Sequence, residues 1–139
     1  MASKSTVYDC SIIELPKLTT SAGSITPIAA NHEIPFDIQR IYYLYDIPAG
    51  ETRGGHAHKQ LHQLIVAASG SFDVVLDDGK IKKTVNLNQP HFGLYVKPGI
   101  WRELINFSSG AVLLVLASLV YTENDYVRNY SEFKAFKNQ

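Results

Sequence analysis

Cysteine, net charge and long apolar runs are all scarce in this chain of 139 residues, and each scarcity closes off a class of protein. The single cysteine, Cys10, cannot form a disulfide within the chain, so the covalent framework of small secreted domains is missing and a reducing compartment is indicated. Thirteen Lys and Arg balance thirteen Asp and Glu, so no global field gathers nucleic acid or an anionic membrane. Any anion must be held by a local cluster of cations. The longest purely apolar run, residues 111–117, has seven members where a membrane-spanning helix needs about 20. The opening Met-Ala-Ser-Lys-Ser-Thr leads into Tyr8 and Asp9 with no apolar signal-peptide core, which makes the cytoplasm the expected location and Cys10 a structural residue. The length accommodates one domain over residues 1–139, and 45% hydrophobic with 19% charged residues is the balance of a chain that buries a core.

What is present is mostly strand signal. Residues 38–47 cluster β-branched and aromatic side chains (Ile41, Tyr42, Tyr43, Tyr45) before the turn Pro48-Ala49-Gly50. Residues 64–68 end at Ser69-Gly70, and residues 72–76 lead through Asp77-Asp78-Gly79 into residues 81–87, a hairpin signal. Further strands are expected at 92–96, 101–107 and 111–120, the last apolar on both faces and therefore interior. Short strands broken by turn residues and never alternating with helices predict an all-β sandwich or barrel. In the tail, Tyr126, Tyr130 and Phe133 fall at helical spacing with Thr122 and Asp125 as a capping pair, so a short C-terminal helix is expected to pack on the barrel. The first thirty residues, with Ile12, Ile13, Leu15, Ile25 and Ile28 among Ser, Thr and Gly, read as edge strands available for pairing within the chain or with a second copy.

The densest polar constellation is the stretch from Gly50 to His58, with Arg53, Gly54, Gly55, His56 and His58, followed by Gln63 and Gly70. Two histidines at i and i+2 on an extended segment point to one face and enter a barrel together. This spacing resembles the first signature of the cupin barrels, and Pro98-Gly99, Arg102 and Asn106 fall on the second. The departures carry chemistry. A metal-bearing cupin presents lone-pair donors at four places, whereas here they read His56, His58, Gln63 and Arg102. A guanidinium has no lone pair to give and stays charged, so no metal is expected.

A closer resemblance is carried by Arg53 to His58, Gln63, Asp77-Asp78-Gly79, Gly93 to Val96, Pro98 and Trp101-Arg102-Glu103. The tail adds Leu116 to Ser118, Tyr121, Asp125-Tyr126, Arg128, Tyr130 and Phe133, and upstream Ser24, Ile34 to Phe36 and Arg40 to Tyr43 agree. Across nearly its whole length the chain resembles the dTDP-4-keto-6-deoxyglucose 3,4-ketoisomerases. That resemblance implies a small jelly-roll cupin of the RmlC type, without metal or redox cofactor. It also implies a homodimer that exchanges N-terminal strands, and a role in making 3-amino-3,6-dideoxyhexoses for bacterial surface glycans such as lipopolysaccharide O-antigen.

Moving a ketone from C4 to C3 requires removing the C3 proton, stabilising an enediolate and returning a proton to C4. Imidazole, whose ordinary pKa is about 6.5, does both at neutral pH. His58 matches the second histidine of the family motif and is expected to be the base, with His56 as acid or orienting partner. Arg102, Tyr42 and Tyr43 are candidates to stabilise the enediolate, and strand alternation lets one of the two tyrosines face inward. Arg53 and Arg40 can hold diphosphate oxygens, and Trp101 or Tyr95 can stack on the base or sugar. Glu103 shares a strand face with Trp101 and can hydrogen-bond a histidine or a sugar hydroxyl. His32, His62 and His91 are given no role. Arg102 stands where many relatives carry a histidine, which favours the gluco over the galacto product. The competing readings are a 3,5-epimerase, for which no Asp is found beside His58, and a non-catalytic cupin that binds a nucleotide-sugar.

Overall fold

The computed structural model describes residues 4–139. The N-terminal part carries β1 (Ser11–Glu14), β2 (Leu18–Thr20), β3 (Gly23–Ile25) and β4 (Arg40–Leu44). The middle carries β5 (Arg53–His58), β6 (Gln63–Ser69), β7 (Phe72–Asp77), β8 (Lys82–Leu87) and β9 (Phe92–Val96). The chain ends with β10 (Trp101–Ile105), β11 (Val112–Ala117), β12 (Tyr126–Val127) and helix α1 (Tyr130–Lys137). One sheet has the order β1-β9-β6-β11-β4 and the other β12-β5-β10-β7-β8, with β2 and β3 forming a separate hairpin. The pairings are antiparallel and mostly between strands distant in sequence, the jelly-roll arrangement expected from the turn-punctuated pattern.

Alternation along each strand decides what meets in the middle. Ile65 and Ala67 of β6 turn inward with Leu94, Val96, Leu113 and Val115, against Phe72, Val74 and Leu76 of β7 and Leu104 of β10. Their neighbours Leu64, Val66, Tyr95 and Leu116 turn outward, where Leu15, Ile34 and Phe36 cover them. The 111–117 run is apolar on both faces because both faces are buried.

The other sheet is covered from outside by α1. Phe133 is fully buried and packs with Ala57, Trp101 and Val127. Burying such a side chain contributes about 2–3 kcal/mol. The helix is capped by Asn129, whose side chain accepts from the Glu132 N–H at 3.1 Å. Two expectations about the tail are corrected here. Tyr126 lies in β12, not in a helix, because its backbone pairs with His58. Thr122 and Asp125 make no capping pair: the Thr122 hydroxyl donates to the Val120 carbonyl, and Asp125 turns into the protein.

At the β7–β8 hairpin, Asp78 accepts from the N–H groups of Lys80 and Ile81, both at 2.9 Å, closing the expected turn. Its other oxygen accepts from the Val7 N–H at 3.0 Å and ties down the N-terminal segment. Of the N-terminal strands, β1 pairs with β9 of the same chain, while the β2–β3 hairpin is exposed along its whole length.

Candidate active site

His56 and His58 flank Ala57 on β5, so Ala57 packs under α1 while both imidazoles point between the sheets. Their ring centroids are 4.9 Å apart and the planes stand at 89°. On the neighbouring strand β10, Arg102 lies in register with His56. The register slips between Arg102 and Leu104, where Gly54 adopts φ +76°. A Cβ at Gly54 would stand 2.9 Å from Arg102 Nη1, so glycine there serves both the turn of the backbone and the close approach of the guanidinium.

The facing strand β4 settles the choice between the adjacent tyrosines. Tyr42 faces inward and its hydroxyl accepts from Arg102 Nη2 at 3.1 Å, whereas Tyr43 points out with 60% of its surface exposed. Arg40 shares the inward face, its guanidinium 5.0 Å from the Tyr42 ring centroid. These groups line a cavity of about 300 Å³ with Arg53 and His56 of β5 and Tyr121, Tyr126 and Arg128 of the C-terminal segment. The Tyr126 ring lies 5.0 Å from His56 and 4.3 Å from His58, and the Arg128 guanidinium lies over the same ring, 4.1 Å from its centroid.

Burial is the main reason both imidazoles are held neutral, and the Arg102 cation adds to it. The His56 pKa is pushed down to about 2 and that of His58 to about 3. His58 has a further partner. Its Nδ1 lies 3.2 Å from Oδ2 of Asp125, a carboxylate fixed by the N–H groups of Gln60 at 2.8 Å and Leu61 at 3.3 Å. Donation from Nδ1–H to that carboxylate leaves the lone pair on Nε2. The expectation that no Asp supports His58 is therefore corrected: the partner lies 67 positions downstream, and only the β5–β12 pairing brings it close.

Among the described residues, Nε2 of both histidines, Oε1 of Gln63, Nε of Arg40, and Nε and Nη1 of Arg102 are buried without a hydrogen-bond partner. Buried polar groups are ordinarily paired, so such a concentration marks a site made for a polar ligand. Gln63 joins it from β6, on the same inward face as Ile65. The donor set does not fit a metal ion, because the protonated guanidinium of Arg102 occupies the fourth place.

Three residues expected to touch substrate lie elsewhere. Trp101 and Glu103 alternate with Arg102 and so lie on the outer face of β10. There the indole N–H donates to Glu103 at 3.1 Å and the ring packs against Tyr130 and Phe133. Tyr95 lies on the outer face of the other sheet, its hydroxyl 2.7 Å from Nδ1 of His62 and its ring stacked on Phe36. Conversely, Tyr121, Tyr126 and Arg128 line the cavity and Asp125 bonds His58, although the sequence marked these four only as part of the resemblance and gave them no role at the site. Their side chains reach it because β12 adds to the edge of the sheet beside β5.

Fold and site together define a jelly-roll cupin with a cation-rimmed cavity and paired neutral imidazoles, suited to acid–base chemistry on an anionic ligand. The family model described as WxcM-like, C-terminal (FdtA) matches residues 8–138, and the chain belongs to this family. A TDP-4-oxo-6-deoxy-alpha-D-glucose-3,4-oxoisomerase from Aneurinibacillus thermoaerophilus is 46% identical over 125 residues, 90% of each chain. The crystal structure of a 3,4-ketoisomerase from Helicobacter canadensis is 44% identical over 94% of this chain and 98% of its own, with a TM-score of 0.92. That of QdtA, a sugar 3,4-ketoisomerase from Thermoanaerobacterium thermosaccharolyticum in complex with TDP, is 40% identical over 96% of this chain and 97% of its own, with a TM-score of 0.93. A histidine-to-asparagine variant of QdtA has been solved with TDP-4-keto-6-deoxyglucose. The RmlC epimerase of Mycobacterium tuberculosis is 18% identical over 92% of this chain and 72% of its own, with a TM-score of 0.76, a likeness of fold alone.

Proposed function

We propose that this protein is a 3,4-ketoisomerase that moves the carbonyl of TDP-4-keto-6-deoxyglucose from C4 to C3. The observation that carries this reading is the pair of neutral histidines, each with an unpaired Nε2, beside the unpaired guanidinium atoms of Arg102. A free imidazole takes the C3 proton, and the developing enediolate lies against Arg102 and the Tyr42 hydroxyl that this arginine orients. His56 lines the cavity directly while His58 is deeper and tied to Asp125, so His56 meets the sugar and His58 supports the proton transfer from behind. This exchanges the roles expected from the motif alone. Arg40, Arg53 and Arg128 at the mouth receive the diphosphate, and Tyr121 and Tyr126 take the stacking roles expected of Trp101 and Tyr95.

The gluco product needs the C4 proton on the ring face opposite the one from which C3 is deprotonated. Arg102 cannot readily supply it, so water in the open cavity does, and on the resemblance of the Arg102 pattern we assign the gluco product. The enzyme works as a cytoplasmic homodimer, supplying 3-amino-3,6-dideoxyhexose biosynthesis for surface glycans such as lipopolysaccharide O-antigen. In support of the dimer, the exposed β2–β3 hairpin carries Leu18 and Ile25 with more than half of their surface bare, and β4 presents Ile41 and Tyr43 likewise. Incubation with TDP-4-keto-6-deoxyglucose in deuterium oxide, read by NMR, tests the activity. A ketone at C3 with deuterium at C4 is expected. Exchange at C3 and C5 would indicate an epimerase, and neither change a binding protein. Trapping the product as its 3-amine and measuring a large diaxial H3–H4 coupling checks the configuration.

A further inference from the structure

Arg128 differs from the other arginines around the cavity in having a carboxylate of its own. Glu123 accepts from Arg128 Nε at 2.8 Å and from Nη2 at 2.9 Å, a two-pronged pairing of the kind a phosphate makes with a guanidinium. The same carboxylate accepts the hydroxyl proton of Tyr121, a second residue of the cavity wall. No carboxylate pairs with Arg40, Arg53 or Arg102 among the described residues. The Glu123 carboxyl is acidified to about 2, chiefly by Arg128, so the pair persists at every working pH. Both side chains are about half exposed, 51% for Arg128 and 56% for Glu123, so parting them costs little.

We propose that Glu123 is an internal counter-anion that competes with the ligand's diphosphate for Arg128, setting the charge a ligand must carry to enter. The inference rests on the diphosphate reading of the cavity mouth. A diphosphate can take the Nε and Nη2 face of Arg128 only by displacing Glu123, and the displaced carboxylate then stands near the phosphates as a like charge. Removing a favourable ion pair from this protein therefore strengthens ligand binding.

Titration calorimetry with TDP on the wild-type chain, Glu123→Gln, Arg128→Met and the double variant tests this. For Glu123→Gln, the TDP Kd is expected to fall about 3- to 10-fold, the scale of an exposed ion pair plus the lost like-charge repulsion. Arg128→Met should raise it, and the Glu123→Gln gain should shrink in the Arg128→Met background because the competitor has lost its target. Unchanged or weaker binding by Glu123→Gln, or an equal gain in both backgrounds, overturns the proposal. Failure of the wild-type chain to bind TDP overturns the diphosphate reading instead. Thermal melts of all four proteins identify any variant that has lost its fold; Glu123→Ala then replaces Glu123→Gln, and Arg128→Gln replaces Arg128→Met, with the same outcomes applied.

Discussion

The two imidazoles are set in opposite ways by their surroundings. His56 stands against the cavity and opposite Arg102, while His58 is fixed from behind by Asp125. Replacing either with Asn keeps the shape and removes the proton carrier, so kcat should drop about 10²- to 10⁴-fold while TDP affinity stays within a few-fold. Asp125→Asn should cost about 10- to 100-fold in kcat, since it orients a histidine and does not itself transfer the proton. Steady-state rates beside calorimetric TDP affinities check all three. The depressed pKa values have two further consequences. A base is competent above its pKa, so values of about 2 and 3 leave both histidines ready throughout the neutral range, and kcat should be flat from about pH 5 to 8. The unfolded chain, with histidines near 6.5, binds protons that the folded chain refuses. Stability contributed by these residues is thus complete above about pH 6.5 and lost as pH falls, by up to about 1.4 kcal/mol per pH unit for each histidine. Urea denaturation of the wild type and the His56→Asn/His58→Asn double variant between pH 7 and 4 measures this. The wild type should lose stability more steeply.

Helix α1 acts on the site through the backs of the strands. Phe133 contacts Ala57, between the two histidines, and Trp101, next to Arg102, so one outer cluster supports both strands that carry the proposed catalytic side chains. Lys137 extends the same support: its ammonium donates to the carbonyls of Ser5 at 2.7 Å and Gly99 at 2.9 Å, and the Gly99 N–H donates to the His58 carbonyl at 2.7 Å. Phe133→Ala should therefore destabilise the protein by about 3–5 kcal/mol, through lost burial and the cavity left among Ala57, Trp101 and Val127. Thermal melting measures the loss, and kcat at a temperature where the variant is still folded should also fall. Most elements were legible as strand stretches between turn residues, with ends moved by a few positions. Residues 38–47 narrow to β4 and 111–120 to β11, because pairing stops where the partner strand ends. The helical reading of Tyr126 failed for the same kind of reason, since pairing with β5 outweighed a local spacing that also suits a helix.

For the whole molecule, two outcomes follow from the charge at the centre and the surfaces at the edge. With Arg102 in the place of a metal ligand, exhaustive EDTA treatment should leave the rate unchanged, and metal analysis should find no stoichiometric ion. Light scattering at micromolar concentration should give twice the chain mass, because the bare β2–β3 hairpin and the outer face of β4 leave apolar surface to be covered. The all-β class and the inward pairing of His56 with His58 were readable from the chain itself, because turn residues and alternation along a strand are local properties. Which of Tyr42 and Tyr43 enters the cavity, that Trp101, Glu103 and Tyr95 lie outside it, and that Asp125 and Arg128 belong to the site were decided only by tertiary structure. Those outcomes depend on which face of each sheet lies against the core and on pairings between residues scores of positions apart, and neither leaves a trace in local spacing.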